Sequence, residues 1–376
     1  MRTGFAKRKS LLGAAASGLV TLVAASCGTS TPSTTTTTGL SQATFGTEAL
    51  WNTVGYGNSY AASVFITPYW SAFSTTDGGH TWKLRMPANI SPRRGIAIAL
   101  TPTQDEAVGF FAYGAQRNSV IFVFGPGHVS APIFLPGALA RVRQAVGLGG
   151  GRLYALGSSG SKVSLLATSI STPQWSSLAA GASGGVSAIG FDARGSDGVA
   201  LLAARAAAGS VTGAYVTANG GRSWEPAAIS TPAAGGRLVD AYVPSGFHAK
   251  AYEVALTLQS PAGFVTEVAA PGVLAGSPVQ PNHPVVGGDP QGDVFSVSGL
   301  LGQVPQLSVF DAATSSWQAP VTMSGVAGAV MSVGFSSLRD GIAVASKGGK
   351  LVTYHTADGG SSWSQGGSIV AVPSAG

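Results

Sequence analysis

Charge is scarce in this chain. Asp, Glu, Lys and Arg make up only 10% of the 376 residues, against 45% hydrophobic residues, which excludes a disordered polyelectrolyte. One cysteine is present, so no disulfide can form within the chain and a disulfide-stapled scaffold is excluded. The five histidines, His80, His128, His248, His283 and His355, are scattered without metal-ligand spacing, and neither a metal nor a cofactor is expected. Helical periodicity is lacking too. With 54 glycines, each costly inside a helix, the sequence reads instead as short strands separated by many turns, an all-β chain. A basic surface is missing despite a formal charge of +6. Arg2, Lys7, Arg8 and Lys9 lie in the leader, and without them 17 basic residues face 15 acidic ones. Nothing favours nucleic acid as a partner.

The N-terminus has the order of an export signal. The four basic residues precede Leu11–Ala25, an uncharged and mostly apolar run of 15 residues, too short for the roughly 20 that span a bilayer. Val23-Ala24-Ala25-Ser26-Cys27 then places small residues directly before the one cysteine. This resembles the bacterial lipobox, with Ala24 where that pattern prefers Leu. The resemblance implies cleavage before Cys27 and acylation of its sulfur, and hence a protein anchored to the outer side of the cell membrane. The Thr- and Ser-rich stretch that follows, with Thr34–Thr38 unbroken, buries no surface and reads as a tether whose composition would suit O-glycosylation. Residues 1–26 are thus expected to be a signal peptide, 27–43 an acylated tether, and 44–376 the folded domain.

Three octapeptides repeat within that domain. They are Thr75-Thr76-Asp77-Gly78-Gly79-His80-Thr81-Trp82, Thr217-Ala218-Asn219-Gly220-Gly221-Arg222-Ser223-Trp224 and Thr356-Ala357-Asp358-Gly359-Gly360-Ser361-Ser362-Trp363. An Asp or Asn side chain can accept from the backbone N–H two residues on, and a Gly-Gly pair supplies the positive φ of a tight hairpin. Asp77 and Asp358 therefore read as turn residues, not catalytic acids. The pattern resembles the Asp box, or BNR repeat, of sialidases, sortilin-type receptors and photosystem II assembly propellers. That resemblance implies a β-propeller in which each box joins the third and fourth strands of a blade, on the rim away from the ligand.

Spacing extends the repeat. Tryptophans 82, 175, 224, 317 and 363 lie 93, 49, 93 and 46 residues apart, so two further units without Trp are expected to turn near 129 and 271. Seven blades follow, with six or eight as the alternatives. In the last blade, strands are expected near 329–334, 340–345, 349–355 and 362–370, with no long terminal segment exchanged at closure.

The opposite rim, built from loops between blades and between second and third strands, is expected to receive Arg93, Arg94, Arg117, Arg205 and His283 as a ligand face. Asp105, Glu106 and Asp340 are expected on the rim with the boxes, and the places of Glu48 and Asp289 are open. A sialidase would need an arginine triad, a Tyr–Glu nucleophile pair and an upstream Arg-Ile-Pro; the nearest tripeptide, Arg85-Met86-Pro87, lies just after Trp82. No catalytic residue is assigned. The reading is a monomeric, membrane-anchored propeller that binds a protein, peptide or glycan as an assembly scaffold; the alternative is an extracellular glycoside hydrolase of sialidase-like fold.

Overall fold

The second and third strands of the repeat units are runs such as Asn118–Phe124, in which Val120, Ile121, Phe122, Val123 and Phe124 are all buried. Side chains alternate across a strand, so burial of successive residues means that both faces of the sheet are covered. β-Branched and aromatic residues fill such strands well. In the computed structural model the described residues form seven successive antiparallel meanders, whose principal strands keep chain order across each sheet. The structure describes residues 44–45, 48–66, 69–88, 90, 98–103, 105–113, 118–135, 141–148, 152–159, 162–178, 186–191, 198–202, 213–217, 219, 223, 225–227, 237–242, 254–270, 273–299 and 303–369, with short strands at 21–22 and 35–36. No helix occurs among them.

The first sheet consists of Glu48–Tyr56, Ser59–Ile66, Tyr69–Thr75 and Lys83–Leu84, with Thr44–Phe45 paired to its first strand. The seventh consists of Ala329–Phe335, Gly341–Lys347, Lys350–Thr356 and Ser364–Ser368. In the two units without a Trp, the chain turns between Phe124 and Ile133 and between Ala270 and Val273, around the expected positions. The sixth sheet departs slightly from the rule. Its fourth strand is split into Ser316–Trp317 and Val321–Thr322, both paired with Gln306–Asp311.

The first strand of five sheets carries a register irregularity at corresponding places, between Leu50 and Asn52, Val142 and Gln144, Val186 and Ala188, Leu238 and Asp240, and Val330 and Ser332. An inserted residue increases local twist. A bulge recurring with the repeat marks these strands as equivalent.

The core lies between the sheets. Separate clusters join sheets one and two, two and three, five and six, six and seven, and seven and one. The described tryptophans of the ladder share one position, though not one hydrogen bond: Trp82, Trp175, Trp317 and Trp363 each pack between their own sheet and the one before it. Trp363 Nε1 donates within its own turn, to Gly360 O at 2.9 Å. Trp175 Nε1 donates to Phe134 O at 3.1 Å, and Trp317 Nε1 donates to Ala275 O at 2.9 Å. Both acceptors lie on the fourth strand of the preceding sheet. Trp224 lies outside the described residues.

Closure brings the first strands of sheets one and seven into backbone contact. A Cβ on Gly55 would fall 2.1 Å from Phe335 O, and one on Gly334 would fall 2.8 Å from the Val54 carbonyl carbon. Only glycine permits that approach. Thr53 N also donates to Ser332 Oγ at 2.8 Å across the same seam.

A candidate binding mouth on the rim of the repeated turns

Two sets of connections share one rim: those between first and second strands, and those between third and fourth. The octapeptides occupy the latter positions. Thr75 Oγ1 donates to Asp77 Oδ1 at 2.6 Å and accepts from Gly79 N at 3.0 Å. Asp77 in turn accepts from Thr81 N through Oδ1 at 2.9 Å and from Thr81 Oγ1 through Oδ2. The third copy repeats every bond, with Thr356, Asp358, Gly360 and Ser362 in the same roles. In the second, Asn219 Oδ1 accepts from Ser223 N at 2.9 Å while its amide nitrogen donates to Ser223 Oγ at 2.7 Å. Gly78, Gly79, Gly359 and Gly360 all have φ between 65° and 90°.

This network corrects the expected Asx turn in one respect. The N–H two residues beyond Asp77 belongs to Gly79 and is taken by the Thr75 hydroxyl, which lies between it and the carboxylate. The carboxylate reaches instead to the fourth residue. The Asx turn itself occurs in the hairpin before Trp317, where Ala313 N donates to Asp311 Oδ1 at 2.9 Å. Against the desolvation that burial imposes, hydrogen bonds from Thr75 and Thr81 pull Asp77 down to about 2. Side-chain and backbone bonds from Ser362, with Thr356, pull Asp358 down to about 2 as well. Neither carboxyl can hold a proton near neutral pH.

The first turn also clamps the ring. Gly79 O accepts from Gly367 N at 2.8 Å and from Thr353 Oγ1 at 2.9 Å, both in the seventh sheet.

Beside it opens a cavity of about 550 Å³, within the size range of small-molecule and peptide side-chain sites. It gathers loops from sheets six, seven, one and two: Pro290 and Gln291; Ser336, Ser337 and Asp340; Gly57 and Asn58 with Asp77 and Gly78; and Asp105. At its wall the Tyr60 hydroxyl donates to Asp340 Oδ1 and shares a 3.2 Å bond with Ser336 Oγ. His355 Nε2 lies 3.3 Å from the same Asp340 oxygen. The Tyr60 ring meets the His355 ring edge-on at 6.3 Å and is itself only 2% exposed.

On the sixth-sheet side, the Asp289–Asp293 turn holds two buried carboxyls. Asp289 Oδ1 accepts from Gln291 N at 2.9 Å and Asp293 N at 3.0 Å, and Asp293 Oδ1 accepts from Ala312 N at 2.8 Å. With its amide turned to match its neighbours, Gln291 donates to Asp289 Oδ2 and to Ser336 O, each at 3.1 Å, tying loop six to loop seven. Burial, and then the nearby charge of Asp293, pushes the Asp289 carboxyl well above the ordinary carboxylate range.

Asp105, Glu106 and Asp340 lie between first and second strands, on this rim, and so does Asp289. Glu48 opens the first strand of the first sheet. Of the expected ligand face, Arg93, Arg94, Arg117 and Arg205 lie outside the described residues. His283 lies between sheets five and six on the opposite rim, where it lines a cavity of about 120 Å³ with Val285, Val297, Pro305 and Met331. Its Nδ1 is 3.0 Å from Pro284 O, its ring packs on Phe264, and burial lowers its pKa. No group of three metal-ligating side chains converges among the described residues. Sequence reasoning missed the mouth because it is assembled from single residues of four sheets. The one available signal was the prediction that several acidic residues share the rim of the boxes.

A closed ring of sequential four-stranded meanders is a β-propeller, and solved structures bear the class out. No protein-family profile and no curated protein matches the chain. The β-propeller domain of the Trilobed protease from Pyrococcus furiosus, which has an open velcro topology, is similar at a TM-score of 0.52 and 10% identity, over 84% of this chain and 96% of that one. The acylaminoacyl peptidase of Pyrococcus horikoshii is similar at 0.51 and 9% identity, over 83% of this chain and 52% of its own. A structure of YCF48 bound to D1 peptide matches at 0.38 and 14% identity, over 85% and 82%. The two Pyrococcus likenesses support the fold and leave the activity to the site.

Proposed function

We propose that the chain is an exported β-propeller, anchored to the outer face of the cell membrane through acylated Cys27, that acts as a binding or assembly scaffold for a protein, peptide or glycan. On this reading residues 1–26 are the signal peptide, 27–43 the tether and 44–376 a monomeric propeller whose octapeptides are Asp boxes. The state of two carboxylates at the mouth, Asp77 and Asp340, carries the functional part. Asp77 is tied into its turn and held ionised, and Asp340 is engaged by Tyr60 and His355. Glycoside hydrolysis needs one carboxyl to donate a proton and a second to attack or activate water. Groups fixed in this way define a shape and a charge but are poorly placed to move protons.

Two measurements test the proposal. Cys27→Ala is expected to shift the protein from the membrane to the released fraction. The immobilised chain is expected to retain a partner from a membrane extract while leaving sialosides and a general glycan panel unhydrolysed. Turnover of any of these substrates would put the glycosidase in its place.

A further inference from the structure

We propose that the mouth on the rim of the repeated turns accepts a guanidinium or ammonium group, the basic side chain of an extended peptide; this rests on the scaffold reading and names its ligand. Three aspartates from three sheets line the cavity: Asp77, Asp105 and Asp340. No lysine or arginine lines it among the described residues, and its one basic group, His355, is already engaged by Asp340. Asp105 is exposed and has no hydrogen-bond or ion-pair partner of its own among the described residues. Asp77 stays ionised to about 2, so its charge persists over the whole physiological range.

Asn58, Thr76, Gln291, Ser336 and Ser337 add neutral polar groups to the lining and no positive charge. A guanidinium carries five donors and no acceptor, which complements such a wall. The carboxylates do not converge into a three-ligand cluster, which disfavours a compact dication and favours a cation whose donors are spread apart. A sugar would want an exposed ring to stack on, yet the Tyr60 ring is buried against His355 and Ser336. At about 550 Å³ the cavity holds a long side chain together with part of its backbone.

The test uses the full chain and a capped pentapeptide, Ala-Ala-Arg-Ala-Ala, with a matched peptide carrying citrulline, the uncharged isostere of arginine. Titration calorimetry is expected to show saturable binding of the arginine peptide, weakening as salt is added, with binding of the citrulline peptide at least roughly tenfold weaker. Asp105→Asn is expected to weaken the arginine peptide by roughly tenfold. Asp340→Asn tests the same wall, and because that side chain also holds Tyr60, its melting temperature is recorded in parallel. Equal binding of the two peptides, no binding of either, or indifference to Asp105→Asn overturns this inference. The scaffold reading is judged separately: a partner retained equally by wild type and Asp105→Asn leaves it standing, and failure to retain any partner removes it.

Discussion

The hydroxyl of Tyr60, in the first sheet, donates to the carboxylate of Asp340, in the last. The same carboxylate faces His355, so one oxygen links two sheets where the ring closes. Sheets one and seven are each built from one continuous stretch of chain, and this seam is held by side chains, by the Gly79 carbonyl and by backbone contact. Tyr60→Phe keeps the shape and removes the bond. It is expected to cost about 1–2 kcal/mol, discounted because Asp340 stays in contact with water, as read by denaturant unfolding.

Glycine at the seam is required for space. Gly55→Ala would drive a methyl into the Phe335 carbonyl and is expected to destabilise at the upper end of the ~1–3 kcal/mol seen for overpacking. Gly127→Ala, whose added carbon would have nothing within 4 Å, is the control and should change the melting temperature little.

The turn aspartates make stability acid-sensitive. Asp77 and Asp358 sit at about 2 in the fold, below the ordinary aspartate value of 3.8. A depressed carboxyl contributes stability that is present above its unfolded pKa and is lost as pH falls through the folded one. Melting temperature should therefore drop between about pH 4 and pH 2. The double variant Asp77→Asn, Asp358→Asn should lose part of that slope while keeping both turns, since Asn219 already makes the equivalent bonds.

Asp289 works in the opposite sense. Its folded pKa is raised, so its contribution is present at acid pH and is lost as pH rises through that raised value. Asp289→Asn retains an acceptor for Gln291 N and Asp293 N but cannot ionise. The variant is expected to gain on the wild type in melting temperature between about pH 5 and pH 8; a constant difference over that interval would count against a raised pKa.

The architecture was legible because repetition is visible in one dimension. The Trp82–Trp363 ladder and the Gly-Gly pairs mark turns whose local hydrogen bonds close within eight residues, so sequence alone could predict them. Even there it misassigned the Gly79 N–H, because two oxygens, of Thr75 and Asp77, compete within a turn whose geometry only coordinates reveal. The mouth was less legible. Tyr60 and Asp340 are 280 residues apart and meet only when the ring closes. Nothing local about Asp289 distinguishes it from a surface turn residue; its burial comes from the surrounding fold. The cavity emphasised by the structure is on the rim opposite the expected ligand face, for which His283 is the one described residue.

Which rim meets the partner is the most direct question that can be put to this account. A photoreactive amino acid at Asn58, beside the mouth, and another at His283, on the opposite rim, would each be crosslinked in membrane fractions and the adducts compared. The account predicts an adduct from position 58 that Asp105→Asn diminishes, with little from position 283. A specific adduct from position 283 alone would contradict it.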